Sequence, residues 1–145
     1  MSLITKSSTH DLPEVLKLLK QVDLPTEGVK EHFHNFFIIK KDDMTVGCAG
    51  IEIYEHVGLL RSLAIHPSFQ GKGNGHQMVN KIEEYSAEKG ISKIYLLTET
   101  AEKFFLKLGY KIIPREETDL KIKQTIEFTT LCPSAPVMVK NLTLI

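Results

Sequence analysis

Between an apolar run that ends at Ile65 and a stretch of helical periodicity, the chain reads Gln70, Gly71, Lys72, Gly73, Asn74, Gly75. The first N–H groups of a helix have no partner inside it, and glycines let neighbouring amides take φ > 0 and converge on one anion. Lys72 adds a positive charge. A turn of this kind at a helix start binds phosphate, and a pyrophosphate fits it. Spacing excludes two common versions of the site. A Walker loop needs Ser or Thr directly after its lysine, where this chain has Gly73, and the dinucleotide fingerprint begun at Gly71 and Gly73 needs a third glycine where the chain has His76.

Arg61 is the second informative residue. It interrupts the apolar run from Gly58 to Ile65, and a guanidinium inside a buried strand has to be paired. Either an internal carboxylate takes it, or it holds an oxyanion of a ligand in a two-pronged contact. His66 precedes Pro67 in a turn, which points to a structural or solvent role. His32 and His34, two apart on a helix, do not face each other to share a metal. Cys48 and Cys132 lie far apart without a CxxC pair or a histidine cluster, so no disulfide framework and no metal site is expected, and both read as buried thiols.

The elements that must position these residues follow from periodicity. Asp11, Pro13 and Glu14 mark a helix start with Asp11 as cap, and Leu12, Val15, Leu16 and Leu19 carry the helix to about Gln21. The run 24–28 interrupts it, and a short helix is expected over Val29 to Phe33. Phe36 to Lys40 and Thr45 to Tyr54 read as a hairpin around Lys41, Asp42 and Asp43. Gly58 to Ile65 reads as a central strand, Gly75 to Lys89 as a long amphipathic helix stopped by Gly90, and Lys93 to Thr98 as a strand. Strand, helix and strand in that order demand parallel pairing. A helix over Ala101 to Leu108, strands over Tyr110 to Ile113 and near Val137 to Leu142, and a helical turn between Arg115 and Glu127 complete the chain.

With 145 residues, 42% apolar and 25% charged, the proportions are those of one ordinary globular domain, expected to span 1–145. Eighteen basic and eighteen acidic residues cancel, so no global field gathers nucleic acid or an anionic membrane, and any anion has to be held locally. No apolar leader and no run of about 18 apolar residues occurs, and a cytoplasmic location is expected.

Gln70, Gly73 and Gly75 resemble the hallmark of the GNAT acetyltransferase superfamily: Gln or Arg, two residues, Gly, one residue, then Gly or Ala. Leu63, Ala64, Ile65, His66 and Pro67 look like the family's fourth strand and its exit turn. Ala101, Phe104, Leu108, Gly109 and Tyr110 look like its second landmark, a helix ending in a Gly-aromatic pair. The resemblance covers Leu59 to Tyr110 and implies an α/β fold: a mixed sheet of about six to seven strands with about four helices, its parallel fourth and fifth strands splayed for coenzyme A. It implies acetyl-CoA as cosubstrate, with no metal, bound by Leu63, Ala64, Ile65, the turn from Gln70 to His76, Thr98 and Phe105. The backbone N–H of Leu63 would stabilise the oxyanion formed when an amine attacks the thioester. Phe105 stands where the family often has a tyrosine that protonates the departing thiol, and Thr98 replaces a usual Asn.

An attacking amine must be neutral, so a carboxylate base is expected; Glu52, Glu27 and Glu99 are candidates, with Glu52 taken first. In this fold Thr26, Glu27, Arg115, Glu116 and Phe128 border the acceptor side, and Arg61 would grip an acceptor carboxylate. The expected reaction is acetyl transfer to the primary amine of a small, amino-acid-like acceptor. The segments 24–28, 59–64, 114–117 and 127–133 further resemble small GNAT proteins of bacterial arsenic-resistance operons, which implies an arsenic-bearing amino-acid analogue as acceptor. Two alternatives stay open, a non-catalytic acetyl-CoA sensor and an acetyltransferase of protein amines. Many relatives pair as homodimers, but nothing in this chain marks an interface.

Overall fold

The computed structural model describes residues 3–142. Its first strand, β1 (Ile4–Lys6), has no counterpart in the sequence reading, because three residues are too few to show alternation. Antiparallel pairing with β2 (Phe36–Lys41) fixes it, with Ile4 opposite Ile39 and Lys6 opposite Phe37. β2 returns as β3 (Met44–Tyr54) through Asp42 and Asp43, whose φ values of 51° and 63° suit a two-residue hairpin turn.

β4 (Val57–Ile65) and β5 (Lys93–Leu97) run parallel, with Val57, Gly58 and Leu59 opposite Lys93, Ile94 and Tyr95. The last two strands, β6 (Lys111–Ile113) and β7 (Val137–Asn141), are antiparallel to each other, and β7 is antiparallel to β5. Hydrogen bonding orders the strands β1-β2-β3-β4-β5-β7-β6, a mixed seven-stranded sheet. Around it the chain forms α1 (Leu12–Gln21), α2 (Val29–His32), α3 (Asn74–Glu88), α4 (Glu102–Lys107) and α5 (Leu120–Lys123). Two of these five are single turns of four residues.

Asp11 stands at the N-cap of α1, as expected, but its side chain makes no cap bond to that helix. Ser8 precedes a short 3-10 turn, Thr9–Asp11, and Asp11 reaches back to accept the Ser8 N–H at 2.8 Å while pairing with Lys40 at 2.9 Å. The Asp11 side chain therefore closes the turn before the helix. The expected helical turn after Arg115 appears as a 3-10 turn, Arg115–Glu117, and α5, followed by a π-helical turn, Glu127–Leu131, which periodicity does not reveal.

The chain divides into two compact units. One comprises residues up to Glu52 and Leu60–Glu84. In its core, Val15, Leu18 and Leu19 of α1 pack with Val29, Phe33, Phe36, Ile38, Cys48 and Ala64. The other comprises Ile53–Leu59 and residues from Tyr85 onward, and its core joins Val57, Leu59, Tyr95, Val137 and Val139 to Ile122 of α5. Cys48 is fully buried, as expected of it, whereas Cys132 is partly exposed, because it follows the π-helical turn rather than lying in a strand.

Candidate functional site

β4 ends at Ile65, and His66 then starts a 3-10 turn, Pro67–Phe69, its Nδ1 accepting the Ser68 N–H at 3.1 Å. This gives His66 a structural role. The Gln70 side chain donates to the Ile65 carbonyl at 2.8 Å, and that of Asn74 donates to the Phe69 carbonyl at 3.1 Å, so both ends of the glycine turn are tied to what precedes them. Between them Gly71 and Gly73 take φ of 76° and 83°, and a Cβ added to either would meet nothing within 4 Å. The turn is thus left-handed at two points and opens onto space. Gln77 makes a helical bond to Gly73 at 3.1 Å, so the N–H groups of Gly73, Asn74, Gly75 and His76 belong to the first turn of the 15-residue α3, ahead of its internal ladder. Lys72 lies exposed beside them, its ammonium 5.5 Å from the Phe69 ring centre. Such an arrangement can hold a diphosphate by main-chain donors and one cation.

On β4, Ser62 has φ of 59°, a left-handed residue within a strand. It breaks the alternation: Arg61 is buried, Ser62 and Leu63 are half-buried, and Ala64 is buried again. Cys48 fastens this kink by donating its S–H to the Ser62 carbonyl at 3.2 Å. Burial pushes the Cys48 thiol up to about 12, opposed by a hydrogen bond from the Ala64 backbone. The Ile65 carbonyl already receives the Gln70 side chain.

Arg61 finds an internal partner. Its Nη1 donates to Glu52 Oε2 at 2.7 Å, its Nη2 to the Glu27 carbonyl at 2.6 Å and its Nε to Ser62 Oγ at 3.1 Å, with the side chain only 2% exposed. The two-pronged grip expected on an acceptor is taken up within the protein, and Glu52 is the group it holds. Glu52 Oε1 in turn faces His32 Nε2 at 3.6 Å. The sequence reading weighed His32 only against His34 on the same helix and so missed a partner on β3. The Glu27 carboxylate turns onto the Thr26 N–H at 3.2 Å, away from the Arg61 contact.

The remaining expected site residues belong to the second unit. Arg115 donates to the carbonyls of Ala135 at 2.5 Å and Phe128 at 3.1 Å, and its guanidinium lies 4.0 Å from the Phe128 ring centre. Among the described residues it has no carboxylate within ion-pair distance. Glu116 is exposed, and its carbonyl receives Lys123 at 2.8 Å. The Thr98 hydroxyl accepts the Ala101 N–H at 3.0 Å at the start of α4. Phe105 is buried, edge-on to Phe104 and Tyr110 at 5.0 and 5.4 Å, and Glu99 is exposed. No cluster of three or more candidate metal-binding side chains occurs among the described residues.

The model of the acetyltransferase (GNAT) domain matches residues 32–112, more than half of the chain. The chain belongs to the GNAT acetyltransferase family. The matched span holds His32, Glu52, Arg61 and the glycine turn, and leaves out Thr26, Glu27, Arg115 and Phe128. Among its GNAT relatives is an uncharacterized N-acetyltransferase of Chlorobaculum tepidum, 34% identical over 97 residues, which are 66% of this chain and 62% of the relative. An amino-acid acetyltransferase of Photorhabdus laumondii is 24% identical over 132 residues, 85% of this chain but 29% of that protein. N-acetylglutamate synthase from Neisseria gonorrhoeae, solved with coenzyme A and N-acetyl-glutamate, superposes with a TM-score of 0.88 at 19% identity, over 99% of this chain and 36% of that one. The chain thus spans under two thirds of the length of each, and the last likeness is one of fold.

Proposed function

We propose that this GNAT protein is an N-acetyltransferase that moves the acetyl group of acetyl-CoA to the primary amine of a small, amino-acid-like acceptor. The observation that carries the reading is the turn at Gly71 and Gly73: two left-handed glycines open to space at the start of a 15-residue helix, with Lys72 beside them. Left-handed glycines open to space, followed by the main-chain donors of a helix start, fit the diphosphate of coenzyme A. The turn from Gln70 to His76 would hold the diphosphate, and the backbone of Leu63 to Ile65 the pantetheine arm.

Acetyl-CoA supplies an activated acyl thioester. The protein's part is to bring a neutral amine to it and to stabilise the oxyanion that develops, for which the Leu63 N–H is the assigned donor. Beside it the left-handed Ser62 re-aims the strand, and Leu63 is less buried than its neighbours Arg61 and Ala64. With Arg61 engaged by Glu52, the acceptor carboxylate falls to Arg115, whose charge meets two carbonyls and the Phe128 ring among the described residues. Phe128, whose ring lies 4.0 Å from the Arg115 guanidinium, would line the same acceptor. The names of the Photorhabdus relative and the Neisseria neighbour, an amino-acid acetyltransferase and a synthase of an N-acetylated amino acid, support this acceptor class. We place the reaction in the cytoplasm, and an arsenic-bearing amino-acid analogue is one acceptor to try, on the strength of the sequence pattern around Arg61 and Arg115.

The test is incubation with acetyl-CoA and a panel of amines, following coenzyme A thiol release and the mass of the N-acetyl product. The panel holds common amino acids, an arsenic-bearing analogue and a lysine peptide. Turnover with free amino-acid acceptors is expected. Turnover with the peptide alone would move the reaction to protein amines, and binding of acetyl-CoA with no thiol release would make the protein a sensor.

A further inference from the structure

Ser62, Arg61, Glu52 and His32 form a line of side chains within the first unit. Arg61 lies two residues before Leu63, the backbone assigned to the acetyl carbonyl. Glu52 is the carboxylate expected to act as base, but its Oε2 is bound by Arg61 at 2.7 Å, and the two side chains are only 5% and 2% exposed. A carboxylate so placed is out of reach of an incoming ammonium, and protonating it would break a buried charge pair. The other oxygen, Oε1, faces His32 Nε2 at 3.6 Å, and the His32 side chain is 26% exposed. Of this pair the imidazole is thus the more exposed partner.

We infer that His32 is the catalytic base of this protein, with Glu52 and Arg61 as positioning residues behind it; the inference rests on the acetyltransferase reading above. A carboxylate beside one ring nitrogen fixes the tautomer and orientation of the ring, as in nucleophile–histidine–carboxylate sites generally. Apo hydrogen bonds in such sites are commonly long and tighten with substrate. The step balances simply. An N–H bond of the acceptor ammonium breaks, its electron pair stays on nitrogen and makes the attacking amine, and a new N–H bond forms on the His32 ring. Glu52 and Arg61 keep their charges throughout. Gly28 starts α2 with φ of 84°, and the His32 N–H bonds back to the Gly28 carbonyl at 3.3 Å, so the same short turn carries the ring and abuts Arg61.

The experiment compares the wild type with His32→Gln, His32→Ala with and without added imidazole, and Glu52→Gln. It reads kcat and KM for an acceptor the wild type uses, and coenzyme A binding by calorimetry. Loss of a general base typically lowers rate about 10²- to 10⁴-fold. His32→Gln is expected to lose about 100-fold in kcat with coenzyme A affinity kept. His32→Ala should regain at least about tenfold with imidazole, which a merely structural role would not allow. Glu52→Gln should lose activity that imidazole does not restore. His32→Gln retaining a third or more of wild-type kcat overturns the inference, and so does a loss in His32→Ala that imidazole leaves unchanged. A wild type that acetylates no amine fails the acetyltransferase reading itself, an outcome visible before any variant is made.

Discussion

A Cβ on Gly28 would stand 2.7 Å from Nη1 of Arg61 and 3.9 Å from Oε2 of Glu52. The loop between α1 and α2 thus closes on the Arg61–Glu52 pair only because residue 28 has no side chain, and its φ of 84° is one that L residues rarely adopt. Gly28→Ala is expected to lose about 2 kcal/mol of stability, from left-handed strain and displacement of a buried guanidinium. It should also lower kcat about tenfold, because the carboxylate held by Arg61 shifts with it. Thermal melts and steady-state rates check both halves.

Arg115→Gln removes a cation whose partners are two carbonyls and an aromatic ring. A charge-assisted contact to a carboxylate is worth about 1.5–3 kcal/mol, so KM for an amino-acid acceptor should rise about 10- to 100-fold. KM for acetyl-CoA should stay within about threefold, and an amine without a carboxylate should show no such change. An equal rise for both kinds of amine would remove Arg115 from acceptor recognition.

The two cysteines should separate cleanly under alkylation. Cys48 is fully buried, and burial drives its thiol up to about 12, so it is unreactive in the folded protein at neutral pH. Cys132 is partly exposed. Mass spectrometry after iodoacetamide is expected to show native labelling at Cys132 alone and labelling at Cys48 only after denaturation.

Asp11 links stability to pH. Burial pushes its carboxyl up, but the Ser8 backbone and hydroxyl bonds and the Lys40 ammonium pull it further down, and the net position is below the ordinary aspartate value. A carboxyl depressed in the folded state stabilises above its unfolded pKa and loses that contribution as pH falls through the folded one. Asp11→Asn should therefore cost about 1 kcal/mol at neutral pH, the scale of a lost cap. The difference from wild type should shrink as pH falls below about 3.9. Urea melts at a series of pH values read it directly.

Much of this was legible in the residues. Alternation and apolar spacing located β2 to β5, α1 and α3 to within a residue or two, because long amphipathic elements carry their own period, and the glycine turn was recognisable because its left-handed backbone needs that composition. β1 was invisible because it exists only through pairing with β2. Asp11 was rightly read as the start of α1, but that its side chain turns back to Ser8 was not, because Ser8 opens a separate 3-10 turn just before it. The Arg61–Glu52–His32 line joins β4, β3 and α2, and pairing between elements leaves no periodic trace. Arg61 announced that a partner was required, but not that the partner would face a histidine.

Calorimetric titration with acetyl-CoA tests the central claim most directly, since every later step needs the turn at Gly71 and Gly73 to hold the diphosphate. Saturable binding at one site per chain is expected, weakened at least about tenfold in Gly73→Val, whose side chain would enter the open cradle and strain a φ of 83°. Absence of binding to the wild type at about 1 mM, an affinity weaker than about −4.1 kcal/mol, would contradict the account.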